Sequence, residues 1–156
     1  MIIPKGVDLK MENHLLRHYL ATIAFRASKA LTNIPKNFPD FETGKGVRKP
    51  LEILHHMSDV LTLACIAFEI KDEQNNEVQS WEKEIDRFYH QLEQLDEALA
   101  QNKFPTTLTI EQILQGPFAD VMTHIGQLYT LRRLADSPVT GESFIKASIT
   151  IGHIRY

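Results

Sequence analysis

Apolar residues recur at intervals of three and four through four long segments, with no strand-like alternation between them, and that period leaves this chain few folds to choose from. In the first segment Leu16, Leu20, Ile23, Ala27, Leu31 and Ile34 keep the spacing of one helix face. Asp8 or Asn13 is placed to cap this helix, and Pro35 and Pro39 close it near Asn33. Lys36 to Gly46 reads as a loop, broken by proline and carrying two glycines. Pro50 suits the first turn of a second helix that runs through Ile70.

A charged, amide-rich connection, Lys71 to Glu77, leads to a third helix from about Gln79 to Ala100. There Trp81, Ile85, Phe88, Leu92, Leu95 and Leu99 form one apolar face, backed by Glu82, Lys83, Asp86, Arg87, Glu93, Gln94 and Glu97. Thr109 and Gln112 form a capping-box pair at the start of a fourth helix. Gln115-Gly116-Pro117 predicts a break or kink in it, because proline lacks an amide proton and glycine costs order. Asp136-Ser137-Pro138 stops it, and Thr140 with Glu142 to Ile149 predicts a short fifth helix. The expected architecture is all-α: a four-helix bundle with a short extra C-terminal helix, in one domain spanning residues 1–156. The first loop is long enough for a crossover instead of a simple hairpin.

Composition excludes several functions. A net charge of −3 and a pI near 6.1 give no electrostatic footprint for nucleic acid or an anionic membrane. The longest apolar run, Val60 to Ile70, is interrupted by Thr62 and Glu69 and is too short to span a bilayer. Met1 to Gly6 lacks the basic and apolar regions of a signal peptide. The single cysteine, Cys65, cannot form an internal disulfide and reads as a core filler. The expectation is a soluble, cytoplasmic protein.

Polar residues intrude on the fourth helix. On a wheel of about 100° per residue with Asp120 at zero, His124 falls near +40°, Gln127 near −20°, Leu131 near +20°, Leu134 near −40° and Ile113 near +20°. Asp120, His124 and Gln127 thus share the stripe that Ile113, Leu131 and Leu134 mark as inward, and a buried carboxylate needs a partner or a metal. On the second helix Val60, Leu63, Ala67 and Ile70 flank His56 in the same way, while His55 lies about 100° and Cys65 about 180° away. Asp120 and His124, one turn apart, suit two ligands of a single ion. The plainer reading is a local Asp–His hydrogen bond, and for His56 a hydrogen-bonded core histidine. Two imidazoles and a carboxylate from two helices suit zinc, nickel, iron or manganese. Asp59, three residues after His56, and Gln127, three after His124, are placed to orient the ligands.

The other polar candidates read as surface. His14 and His18 lie on the back of their helix, His90 flanks the exposed side of the third, and His153 lies in the tail. Arg132 and Arg133 read first as surface salt-bridge residues, with anion binding at a pocket rim as the alternative.

The run Leu54-His55-His56-Met57-Ser58-Asp59-Val60-Leu61, followed by Asp120-Val121-Met122-Thr123-His124-Ile125-Gly126-Gln127-Leu128, resembles the DinB-like (DNA-damage-inducible) four-helix family. Leu131-Arg132-Arg133-Leu134-Ala135, Ser137-Pro138-Val139 and Glu142 extend the resemblance over nearly the whole chain. It implies an up-down-down-up bundle, a homodimer, and a divalent metal on His56, Asp120 and His124, with Asp120 standing where a histidine is usual. Glu142-Ser143-Phe144 likewise departs from the usual acid-asparagine-aromatic run. The implied activity is that of a thiol-cofactor-dependent S-transferase or a hydrolase, in which the ion lowers the pKa of a water or a low-molecular-weight thiol. The competing class is a non-catalytic dimeric bundle whose decayed metal site binds a small molecule.

Overall fold

The structure, a computed structural model, describes residues 9–71 and 77–156. Among them there is no strand. Helices α1 (Leu9–Leu31), α2 (Pro50–Ala67) and α3 (Trp81–Ala100) follow the three predicted periodic segments. The fourth segment is α4 (Ile110–Ile113), a π turn (Leu114–Phe118) and α5 (Ala119–Leu134), without interruption. Pro50 opens α2, Ser80 caps α3 by accepting from Lys83 N, and the Thr109–Gln112 capping box forms as expected. Asn13 is not a cap of its own helix. It lies buried inside α1 and donates from Nδ2 to the carbonyl of Leu99, near the end of α3. Asp8 and most of the charged connection after Lys71 fall outside the described residues.

Named contacts fix the directions of the helices. Arg17 clamps Asp96 through two 2.9 Å bonds and Asn13 reaches Leu99, so α1 and α3 are antiparallel. His55, Thr62 and Ala67 meet Glu84, Gln91 and Thr106 in the same order, so α2 and α3 are parallel. Tyr129 and Arg132 meet the carbonyls of Arg26 and Ala30, so α5 runs parallel to α1. The order is therefore up-down-down-up, with α1 and α2 each packed against α3 and α5. The loop after α1 makes the crossover between them. Phe38, in a 3-10 turn of that loop, is fully buried edge-on against Trp81. One core joins all the helices, built on Leu20, Ile23, Leu54, Leu61, Phe88, Leu92, Phe118 and Leu128.

The irregularity expected at Gly116-Pro117 takes the form of a π turn, which tolerates a residue without an amide proton and lets the helix continue. Two local expectations need correction. The fifth helix shrinks to a single 3-10 turn, Phe144–Lys146. Ile145 there is 98% exposed, so no apolar face is buried, and the β-branched Ile149, Thr150 and Ile151 do not favour a helix. Arg132 is not a surface ion-pair residue. It is buried, and its guanidinium donates to the carbonyls of Ala30, Thr32, Asn33 and Ser137 and to Ser137 Oγ. It thereby closes the C-terminal end of α1, whose last carbonyls have no partner within the helix. Burial pushes its pKa down.

Replacing Arg132 by methionine should therefore cost about 3 kcal/mol, because it leaves several carbonyls unsatisfied. Urea unfolding measures this, and a loss below roughly 0.5 kcal/mol, the size of an ordinary surface change, would contradict the assignment.

Candidate metal centre

The α2–α5 seam brings His56, Asp120 and His124 together. Asp120 lies between the two imidazoles, with Oδ2 3.6 Å from His56 Nε2 and Oδ1 3.5 Å from His124 Nε2. The rings meet edge to face at 4.8 Å between centroids. One ligating atom from each residue lies within 4.8 Å of the other two, and among the described residues no other group of histidine, cysteine and acidic side chains could share an ion in this way.

The three residues sit at the edge of the core, not in its centre. The Asp120 side chain is 44% exposed and that of His56 32%, whereas that of His124 is 11% exposed. The buried arc of α5 consists of Val121, His124, Ile125, Leu128, Leu131 and Arg132, centred near +80° on the wheel that put Asp120 at zero. Leu134, read as an inward marker, is 56% exposed, and Gln127 is exposed. The reason is the π turn. Ile113 is buried, but a wider turn between it and Asp120 shifts its angle by about 100° relative to an unbroken α-helix. On α2 likewise Leu63 is 54% exposed while Cys65 is fully buried, so His56 looks into a groove. A fully buried carboxylate is therefore not what drives the cluster together.

The supporting residues divide. Gln127 does lie against His124: its Oε1 is 2.9 Å from His124 Nδ1, which turns the Nε2 edge of the ring toward Asp120. Asp59 does not orient His56. It is 3.4 Å from Nε2 of His55 and accepts from Arg87 Nη2 at 2.9 Å. His55 faces α3, where its Nδ1–H donates to Glu84 Oε1 at 2.8 Å. Glu84, 1% exposed, also accepts from Gln79 N and lies 3.8 Å from Arg87. This buried polar seam was missed in the sequence because Glu84 lies among the charged residues of a helix otherwise read as solvated. His14, His18 and His90 are exposed, as expected, and so is His153 in the tail.

The donor set fits a divalent transition ion. A tetrahedral ion with bonds of 2.0–2.2 Å separates its ligand atoms by about 3.4 Å; each Asp120 oxygen lies near that distance from one imidazole, and one atom from each of the three residues falls within 4.8 Å of the others. The His56 pKa lies below the ordinary 6.5, first through burial and then through the charges of Arg48 and His124, against the opposing pull of Asp120 and Asp59. A depressed pKa keeps this imidazole neutral at physiological pH, the form that can ligate. Two clefts flank the cluster. One of about 500 Å³ is lined by Thr43, Gly46, Val47, Arg48, Thr130 and Leu131 with His124 and Gln127. The other, about 470 Å³, runs along Val60, Leu63, Pro117 and Asp120.

Comparison with family models, curated proteins and solved structures finds no match to this chain.

The depressed His56 pKa has a sign that can be checked. The unfolded chain binds this proton more readily, so the contribution to stability is complete above pH 6.5 and is lost as pH falls from 6.5 through the folded-state value. In a proton NMR titration of the metal-free protein, the His56 ring should titrate with a midpoint below 6.5, and Arg48→Gln should move the midpoint upward without restoring 6.5. A midpoint at or above 6.5 in the unsubstituted protein would contradict the assigned environment.

Proposed function

We propose that this protein is a cytoplasmic, divalent-metal-dependent enzyme of the DinB-like class, a homodimer that catalyses S-transfer or hydrolysis on a small molecule. The reading rests on one observation: His56, Asp120 and His124, from two helices, each bring one ligand atom to within 4.8 Å of the other two, between two clefts. Zinc, nickel, iron or manganese suits two imidazoles and one carboxylate. When bound, such an ion supplies Lewis acidity, lowering the pKa of a water or a thiol at an open position.

The chain's own residues prepare that position. Gln127 holds the His124 ring with Nε2 turned toward Asp120. Partial burial keeps His56 unprotonated, and exposure of Asp120 leaves the cluster accessible from both clefts. Cys65 is fully buried in the core, so a thiol nucleophile here must come from a second molecule. In an S-transfer its thiolate sulfur bonds to an electrophilic carbon, the leaving group departs with the electron pair, and the thiol proton passes to solvent. The outward apolar side chains Leu63 and Ile66 on α2 supply surface for a second copy.

Tag-free protein titrated with zinc or nickel should bind one ion per chain. Gln127→Ala should weaken that binding by about 10–100-fold, and His56→Ala or His124→Ala by more. Asp120→His should strengthen it. Sedimentation at micromolar concentration should give a dimer, and a monomer would remove that part of the proposal. Failure of the unsubstituted protein to take up metal, or indifference to His56→Ala, would leave the non-catalytic pocket as the better reading.

A further inference from the structure

Arg48 stands apart from the chain's other well-placed arginines. Arg17, Arg87, Arg132 and Arg155 are each held by carboxylates or carbonyls, whereas Arg48 makes no hydrogen bond or ion pair among the described residues. It is exposed and lines the same cleft as His124 and Gln127, close enough for its charge to act on His56. Three consecutive residues with positive φ, Gly44 (75°), Lys45 (57°) and Gly46 (74°), reverse the loop just before it. A bond from Val47 N to Gly44 O at 3.1 Å closes that turn. Val47 and Arg48 are thus carried over the α5 face that bears His124.

The cleft they cover has two characters. Val47, Leu131 and Leu134 give it an apolar wall, with Val47 51% and Leu134 56% exposed. Arg48, Gln127, Thr130 and His124 give it a polar side that ends at the candidate metal centre. A guanidinium fork matches a carboxylate in a bidentate pair, and the lining contains no second lysine or arginine, so it balances one negative charge. We propose that this cleft is the substrate pocket, and that Arg48 selects a small molecule bearing one carboxylate on an apolar chain. The pocket deepens the metal-enzyme reading and rests on it for the chemistry at His124, though not for binding.

The experiment uses full-length protein, metal-free and zinc-loaded, with hexanoate, 1-hexanol and inorganic phosphate as probes followed by protein-observed NMR. Hexanoate should shift Val47, Leu131 and Leu134 and bind at least roughly tenfold more tightly than 1-hexanol, and Arg48→Gln should remove that difference. Arg48→Gln should still take up one zinc ion per chain. Equal binding of hexanoate and hexanol, hexanoate binding unchanged by Arg48→Gln, or phosphate binding as tightly as hexanoate would each overturn the pocket. Zinc uptake without selective hexanoate binding overturns the pocket alone, and selective hexanoate binding without zinc uptake overturns the metal reading alone.

Discussion

Glu84 is a carboxylate with almost no access to water, and the packing of α2 on α3 follows from compensating its charge. The amide of Gln79 and the Nδ1–H of His55 converge on its Oε1, while Oε2 has no hydrogen bond and faces the Arg87 guanidinium at 3.8 Å. An uncompensated charge at that depth would cost several kcal/mol, which is a large share of a small domain's stability. The parallel seam of α2 and α3 is therefore locked in rotation as well as register, and Thr62 with Gln91 repeats the lock two turns on. Because His55 is committed to α3, His56 is turned about 100° away, toward α5. The candidate metal centre depends on a polar contact that belongs to a different helix pair.

From the other side, the π turn sets the rotation of α5. It lets the chain pass Gly116-Pro117 while keeping both Ile113 and Phe118 buried. The residues after it are rotated so that Asp120 reaches the rim and His124 stays beneath it. Arg132 then fixes the far end of α5 to the end of α1. A rigid frame thus surrounds a cluster whose own members are partly open to solvent.

Much of this was legible in the chain, for reasons that differ by element. The apolar faces of α1 and α3 could be read because one side of each is strongly polar, so Leu16 to Leu31 and Trp81 to Leu99 could face only one way. The proximity of Asp120 and His124 could be read because residues four apart on one helix share a face; their grouping with His56 was what the family resemblance implied. Burial could not be read. α2 is apolar nearly all round, which hid the outward position of His56 and Leu63, and the π turn broke the wheel that tied Ile113 to Asp120. The roles of Asp59, Glu84 and Arg132 were hidden for a simpler reason. Charged residues on helices are usually solvated, and only tertiary packing selects the few that are not. Arg48 lies in a loop, where no periodicity indicates what a side chain will face.

The cluster also has an electrostatic logic. Asp120 would offset the charge of a cation bound there, Arg48 adds positive charge at the cleft, and partial burial of His56 favours its neutral form. The most direct test of this account is X-ray absorption spectroscopy of tag-free protein loaded with one equivalent of zinc. The account predicts a first shell with two imidazole nitrogens and a carboxylate oxygen at about 2.0–2.2 Å, completed by a light exchangeable ligand. A shell without imidazole, or one containing sulfur from Cys65, would contradict it.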